Sequence, residues 1–184
     1  WVAEQLMSQA ASLGLPVTVY RPGNIGPHQV TQYSNPDDLS ALIWGACARE
    51  GRAPQDTGWH FEVSPVDVIS TMIVGIAQLN SPRAYYHLVH PITLDADQLF
   101  AEWRAKGWLS AEEITWREWR KLLMSSSDPA SRVLGASLHH FNQLLTSEDR
   151  FSVKHLTVDL PECSHFYEVP PSLEGYFNQL FSIK

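Results

Sequence analysis

The order of patterns in the first 27 residues constrains the fold more than any other feature of this chain. Apolar residues recur at helical spacing as far as Leu13, and Gly14 and Pro16 then mark the end of a helix. The run VTVYR at 17–21 follows. It is β-branched and apolar on both sides apart from Thr18, which is typical of a buried parallel strand. A helix, a tight turn and a buried strand form half of a βαβ unit, so the chain is predicted to be an α/β protein.

The alternation of helix and strand continues to about residue 91 and then gives way to helices. The motif PGNIGP, at 22–27, ends the first strand, and strand patterns recur at 60–66 and 84–90. Helical patterns cover the other regular segments, at 36–51, 66–79, 95–108, 115–126, 129–145 and within 169–181. The pattern therefore divides the chain into an α/β part, residues 1–91, and a mainly helical part, residues 92–184.

Charge and composition exclude several classes of function. The formal net charge of −7 and the isoelectric point near 5.5 argue against a nucleic-acid binder or an anionic-membrane binder. The sequence shows no secretory signal pattern, and no run approaches the roughly 18 apolar residues of a membrane span. We therefore expect a soluble, cytoplasmic protein.

The cysteines and histidines do not form a metal-binding pattern. Cys47 and Cys163 lie far apart, so we expect two structural thiols in a reduced compartment. His139 and His140 are adjacent on a predicted helix and are expected to point in different directions, which makes them poor shared ligands. No metal site is predicted.

Several motifs occur in the order of one known family. WVAE at 1–4 and YRPGNIG at 20–26 come first, and NPDDL, FEVSPVDVI and YYHLVHP follow. With these motifs the chain resembles an extended short-chain dehydrogenase/reductase. More narrowly, it resembles the C-terminal half of the terminal thioester reductase domains of nonribosomal peptide and polyketide synthetases, with carboxylic acid and aminoadipate reductases as relatives. Thr31-Gln32 stands where this family often has Thr-Gly, so a differently shaped substrate loop is expected.

The resemblance implies a fold and a division of roles. Residues 1–91 are expected to be the C-terminal portion of a Rossmann-type doubly wound parallel sheet that binds NAD(P), with a substrate-loop insertion at about 26–59. Residues 92–184 are expected to form a mostly helical substrate-binding or lid subdomain. In this family a Tyr-x-x-x-Lys pair opens the first helix, and its Lys would directly precede Trp1. The catalytic residues and the Gly-rich phosphate turn are therefore expected upstream of Trp1, and none is predicted in this chain.

The turn formed by Pro22, Gly23, Asn24 and Ile25 is the candidate cofactor-binding element. It leaves the carboxyl end of a predicted parallel strand, where open α/β sheets bind ligands. Pro fixes φ, and Gly permits a close approach of the backbone. The resemblance implies that this turn meets the carboxamide end of the nicotinamide of NADPH, bound by the complete domain and weakly or not at all by this fragment. The alternative is an ordinary strand-ending turn.

Other candidates are weaker and have structural alternatives. His28 could face the substrate, or it could be an ordinary loop residue. Arg117, Arg120 and Lys121 share one face of a predicted helix and could steer an acidic carrier protein, or they could form a solvated helix face. Arg21 could clamp a phosphate, although at the end of a strand it is expected to brace the fold.

The resemblance implies a function for the complete domain. It would release an acyl or peptidyl thioester from the phosphopantetheine arm of a carrier protein by NADPH-dependent reduction to an aldehyde or an alcohol. The N-terminal half of the same domain would be the essential partner, and the fragment would be inactive alone. Two alternatives stay open: a redox-inactive release domain that catalyses Dieckmann-type cyclisation, and a non-catalytic carrier-docking fragment.

Overall fold

The computed structural model describes residues 1–147 and 151–182 as a mixture of helices and short strands. Within these residues no helix is long and apolar enough to cross a membrane. The helices are α1 (Val2–Ser12), α2 (Leu39–Glu50), α3 (Val66–Ala77), α4 (Ala96–Ala105), α5 (Trp116–Met124), α6 (Pro129–Leu145), α7 (Lys154–Asp159), a 3₁₀ helix (Pro161–Tyr167) and α8 (Glu174–Ser182).

The strands are short and pair mostly in parallel. They are β1 (Val19–Pro22), β2 (Ile25–Gly26), β3 (Pro54–Gln55), β4 (His60–Phe61), β5 (Ser64–Pro65), β6 (Tyr85–Leu88), β7 (Leu94–Asp95) and β8 (Ile114–Thr115). The pairs β1–β6, β2–β5 and β3–β8 are parallel, and β4–β7 is antiparallel. The predicted α/β class is confirmed.

The described residues group into two compact units that are interleaved along the chain. The first unit consists of Trp1–Gly26, Glu62–Ile92 and Arg150–Pro171, and the second of Pro27–Phe61, Thr93–Asp149 and Ser172–Lys184. The chain passes between the units close to residue 91, but the first unit also contains a later segment. The assignment of a cofactor role to residues 1–91 and of a substrate role to residues 92–184 stays a prediction.

The core of the first unit lies between the β1–β6 pair and the helices that pack on it. Its buried residues include residues of α3 (Ile69, Met72), of β6 (Tyr86, Leu88), Leu156 of α7, Cys163 of the 3₁₀ helix, and Leu160 between these two helices. An added Cβ at Gly75 would lie 3.1 Å from Leu160, so α3 and the end of α7 pack closely at this glycine. These contacts fix the carboxyl ends of β1 and β6 next to each other.

Helix α1 belongs to this unit but buries none of its residues. It ends where the sequence predicts, because Gly14 takes the left-handed backbone conformation with φ of +89°. Its apolar residues Val2 and Leu6 are 65% and 55% exposed. The apolar stripe of this helix is thus a surface of the described chain.

The second unit has an aromatic core surrounded by capped helices. The ring centroids of Trp44 and Phe61 are 5.3 Å apart, and those of Trp103 and Phe177 are 4.9 Å apart. Helices α2, α4, α5 and α6 begin with side chains that accept hydrogen bonds from their first turns, namely Asp38, Asp95, Thr115 and Asp128. These caps explain why the helical starts agree with the sequence pattern to within a few residues.

Two regions differ from the sequence pattern. The single strand predicted at 60–66 is wrong, because β4 and β5 are separate and the chain leaves the second unit for the first between Phe61 and Glu62. The irregular tail contains α7 and the 3₁₀ helix, which the sequence pattern did not predict. Both are only six or seven residues long, too short for a clear apolar period.

Candidate functional site

The turn at 22–25 lies at the carboxyl end of two parallel strands, as the sequence pattern predicts. Pro22 is the last residue of β1, and Ile25 is the first residue of β2. The backbone N–H of Gly23 donates a 3.1 Å hydrogen bond to the carbonyl of Leu88 at the end of β6. The turn therefore continues directly from the sheet ladder, in the position where open α/β sheets bind ligands.

The carboxylate of Glu62 holds this turn from within the protein. Its Oε2 accepts a short hydrogen bond from the backbone N–H of Asn24, and its Oε1 accepts one from the Ser64 hydroxyl. The backbone N–H of His90 also donates to Oε1, at 2.9 Å. A Cβ built on Gly23 would lie 2.1 Å from Oε2. Gly23 is needed because the carboxylate occupies the space of a side chain.

His90 connects this cluster to the segment that follows the 3₁₀ helix. Its imidazole is buried, and Nε2 lies 2.8 Å from the carbonyl of Phe166 and 3.1 Å from that of Val169. Carbonyls only accept hydrogen bonds, so the contacts of Nε2 call for a proton on that nitrogen. Nδ1 lies 3.0 Å from the carbonyl of Ile92 and 3.1 Å from its backbone N–H. The ring is a structural link and not an exposed acid or base.

The first and last residues of the turn expose apolar side chains, and the backbone polar groups between them point inward. Both backbone groups of Asn24 point inward, because its N–H donates to Glu62 and its carbonyl accepts from the N–H of Ser64 at 2.9 Å. The Pro22 ring is exposed, and the Ile25 side chain is 40% exposed. A flat apolar ring system could therefore rest against Pro22 and Ile25. The residues present fit the nicotinamide end of a dinucleotide.

Arg21 braces the fold beside this turn. Its guanidinium donates two hydrogen bonds to the carboxylate of Glu4 in α1, at 2.9 and 2.8 Å, and lies over the ring of Tyr85, 4.9 Å from the ring centroid. The hydrogen bond to Arg21 lowers the pKa of Glu4. The structure thus supports the bracing role over the phosphate clamp.

His28 closes its own loop. Its Nδ1 accepts from the backbone N–H groups of Val30 and Thr31, at 3.0 and 3.4 Å. In the same loop Gln32 has a φ of +60°, the left-handed conformation that glycine adopts most easily. The loop keeps a backbone suited to the glycine of the family pattern although Gln32 stands there. The substrate-facing role of His28 stays a prediction.

The three basic residues of α5 differ in their surroundings. Arg117 and Lys121 are exposed, whereas Arg120 is half-buried and its Nε donates a 2.8 Å hydrogen bond to the carbonyl of Gly135 in α6. Arg120 thus joins α5 to α6 where the helices approach closely, since a Cβ at Gly135 would lie 2.9 Å from Leu123. The docking role of this face stays a prediction.

The expectation that His139 and His140 point in different directions is wrong. Their ring centroids lie 3.7 Å apart, with 40° between the ring planes. Side-chain rotation brings the two rings together although their Cα–Cβ bonds diverge around the helix. The Nδ1 of His139 also lies 3.1 Å from the carbonyl of Ala136, one turn earlier in α6. This exposed ring is therefore held by its own helix.

Part of this chain matches a known protein family, and longer stretches of it match known reductases and synthetases. Residues 1–73 match the NAD-binding family described as male sterility protein. The glycine betaine reductase ATRR of Emericella nidulans is 31% identical over 126 residues, which are 68% of this chain and 10% of the relative. The non-canonical nonribosomal peptide synthetase FrzA of a Cladobotryum species is 31% identical over 131 residues, which are 69% of this chain and 13% of the relative.

A solved structure extends the similarity over the whole fold. The terminal R domain from the myxalamid PKS-NRPS biosynthetic pathway has 28% sequence identity and a TM-score of 0.77, and the match covers 99% of this chain. The chain is similar to the terminal reductase domains of these synthetases. The resemblance and the Rossmann-type fold inferred from the sequence are thereby confirmed.

The chain spans less than half the length of each of these proteins. It covers 47% of the myxalamid reductase chain, and 10% and 13% of the two curated relatives named above. A thiolation-reductase di-domain from an archaeal non-ribosomal peptide synthetase matches with a TM-score of 0.67 and 17% identity, which shows the shared reductase fold alone. The activity of a complete reductase therefore remains to be proposed for this chain.

Proposed function

We propose that this chain forms the C-terminal part of a reductase domain that releases a carrier-bound acyl or peptidyl thioester by NADPH-dependent reduction to an aldehyde or an alcohol. The observation that carries the proposal is the turn at 22–25. It lies at the carboxyl ends of β1 and β6, inside the residues that match an NAD-binding family, and it exposes the apolar side chains of Pro22 and Ile25.

Pro22 and Ile25 are the residues that would hold the nicotinamide ring, and Gly23 and Asn24 shape the backbone between them. When bound, NADPH supplies the hydride that reduces the thioester carbon. The role of the turn is to orient the ring and to keep water from one of its faces. The support is the exposure of Pro22 and Ile25 together with the inward direction of the backbone N–H and carbonyl of Asn24.

The proton donor of the proposed reaction lies outside these 184 residues. The sequence contains no Tyr-x-x-x-Lys motif and no Gly-rich phosphate turn. We therefore propose that this chain is inactive alone and requires the N-terminal half of the same domain. The exposed apolar side of α1, with Val2 and Leu6, supports this partner because a surface of that kind is usually covered in a folded domain.

The delivering partner in this proposal is a carrier protein with a phosphopantetheine arm. Carrier proteins of this type are acidic, so exposed basic groups on an otherwise acidic chain favour their approach. Arg117 and Lys121 on α5 are such groups, while Arg120 is engaged with α6. We further propose a cytoplasmic location, supported by the free, buried thiols of Cys47 and Cys163.

The test is an assay of the complete domain with an acyl thioester on its carrier protein. The proposal predicts that NADPH oxidation equals the aldehyde formed, or twice the alcohol formed. Loss of the thioester without NADPH oxidation and with a cyclised product would instead show cyclisation, and an unchanged thioester would show a non-catalytic docking role.

A further inference from the structure

We propose that Glu62 is the positioning residue of the cofactor-facing turn and acts on the nicotinamide through the backbone of Gly23 and Asn24. The inference rests on the proposed function of that turn. Glu62 lies in the FEVSPVDVI motif, 38 residues away from Asn24 in the chain, and the sequence does not show that the two residues meet.

The carboxylate is the common acceptor of one connected hydrogen-bond cluster. Asn24 donates to Oε2 from its backbone N–H, and the Ser64 hydroxyl and the His90 backbone N–H donate to Oε1. The Ser64 hydroxyl also accepts from the same His90 N–H at 2.9 Å. Ser64 and His90 are buried, so the carboxylate is fixed from the side away from the turn.

The hydrogen bonds at position 62 fit a carboxylate and do not fit an amide. An ionised carboxylate only accepts hydrogen bonds, and each contact in the cluster comes from a donor. A glutamine would turn its NH₂ group toward either the Asn24 N–H or the pair formed by Ser64 and His90. One of those contacts would then place two donors against each other, and the turn would loosen at that point.

The position of the carboxylate also decides which side of the turn faces outward. Because Glu62 takes the Asn24 N–H, that donor cannot point to a ligand, and Pro22 and Ile25 are left on the outer side. The close approach of Oε2 to Gly23 keeps the backbone of the turn near the sheet. Glu62 therefore determines how far the backbone of the turn lies from the sheet. It also determines that Pro22 and Ile25 face the position proposed for the nicotinamide ring.

The experiment compares Glu62→Gln with a matched control in the complete domain. Asp159→Asn is the control, because Asp159 lies in the same unit and is also a structural carboxylate, accepting from Arg83 and Tyr86. For each variant the readouts are the melting temperature, the hydrogen exchange of the Asn24 amide, the Kd for NADPH by fluorescence titration, and the steady-state KM and kcat.

For Glu62→Gln we expect roughly tenfold faster exchange of the Asn24 amide and a Kd for NADPH raised about tenfold, the effect of one lost charged hydrogen bond. The larger kinetic change is expected in the KM for NADPH and not in kcat. Asp159→Asn is expected to lower the melting temperature while both the Asn24 exchange and the Kd stay at the wild-type values. Ser64→Ala removes one hydrogen-bond donor to the carboxylate. We expect it to raise the exchange rate of the Asn24 amide and the Kd for NADPH, each by a smaller factor than Glu62→Gln does.

The outcomes distinguish the positioning role of Glu62 from the proposed function of the domain. If the wild-type domain binds NADPH and Glu62→Gln binds it equally well, the positioning role is overturned and the proposed function stands. If the wild-type domain binds no nicotinamide cofactor, both are overturned. If Glu62→Gln does not fold, Ser64→Ala decides, and an unchanged Kd in that variant contradicts the inference.

Discussion

At the scale of single residues, Gly23 shows how a sequence motif can be right for a reason that only the structure supplies. The sequence suggests a glycine that allows a ligand to approach the backbone. In the structure the space next to its Cα is filled from the protein side, by the carboxylate of Glu62 and the side chain of Val89. The glycine is needed for packing beneath the turn, whatever binds above it.

Gly23→Ala should therefore destabilise the protein by about 1–3 kcal/mol, the usual cost of an extra methyl group in a filled site. The new Cβ would lie 2.1 Å from Oε2 of Glu62 and 2.9 Å from Cγ1 of Val89. Urea denaturation measures the change. In a Glu62→Ala background the same substitution should cost clearly less, because the closest atom is removed. Equal costs in both backgrounds would show that the carboxylate does not occupy this space.

Asp159 should contribute to the acid sensitivity of the fold. The hydrogen bond from Arg83 lowers the pKa of Asp159, and the hydroxyl of Tyr86 adds to the effect. A carboxyl group with a lowered folded pKa contributes stability that is present above its ordinary value of 3.8 and is lost as pH falls through the folded value.

Asp159→Asn should accordingly lower the urea midpoint at pH 7 and flatten the fall in stability below about pH 4. Unfolding curves between pH 7 and pH 3 measure both effects. A variant that loses stability with the same acid slope as the wild-type protein would contradict this assignment.

At the scale of elements, the sequence predicts what depends on local chemistry. Helix α6 covers the predicted range 129–145, and α2 begins after the Asp38 cap and ends at Gly51, whose φ is +64°. Caps and left-handed glycines are local signals and can be read from neighbouring residues. Contacts between segments that are distant in the chain cannot be read in this way. The pairing of Glu62 with the turn and the break between β4 and β5 therefore do not follow from the sequence.

Helix α5 provides the test of carrier docking. Arg117→Glu combined with Lys121→Glu should weaken binding of the carrier protein about tenfold at low salt, because both side chains are exposed and carry the steering charge. Isothermal titration at two salt concentrations measures the effect, which should shrink as salt rises. Arg132→Glu, an exposed charge on α6, tests whether any basic residue of this unit has the same effect. Unchanged affinity of the double variant at low salt removes the docking role.

At the scale of the whole molecule, the resemblance to terminal reductase domains could be inferred from the sequence because their motifs keep their order along the chain. The exposure of α1 could not be inferred from the sequence. Its apolar period predicts a buried face, yet Val2, Leu6 and Leu13 are exposed among the described residues. A periodic pattern shows that a helix has an apolar side, but it does not show which segment covers that side. We attribute the covering to the N-terminal half of the same reductase domain.

The central claim is that this chain provides the nicotinamide-facing turn of a reductase and depends on the N-terminal half for cofactor binding. Titration of NADPH against the chain alone and against the complete domain, followed by nicotinamide fluorescence, tests it most directly. We expect micromolar binding by the complete domain and no saturable binding by the chain alone. Tight binding by the chain alone, or none by the complete domain, would contradict it.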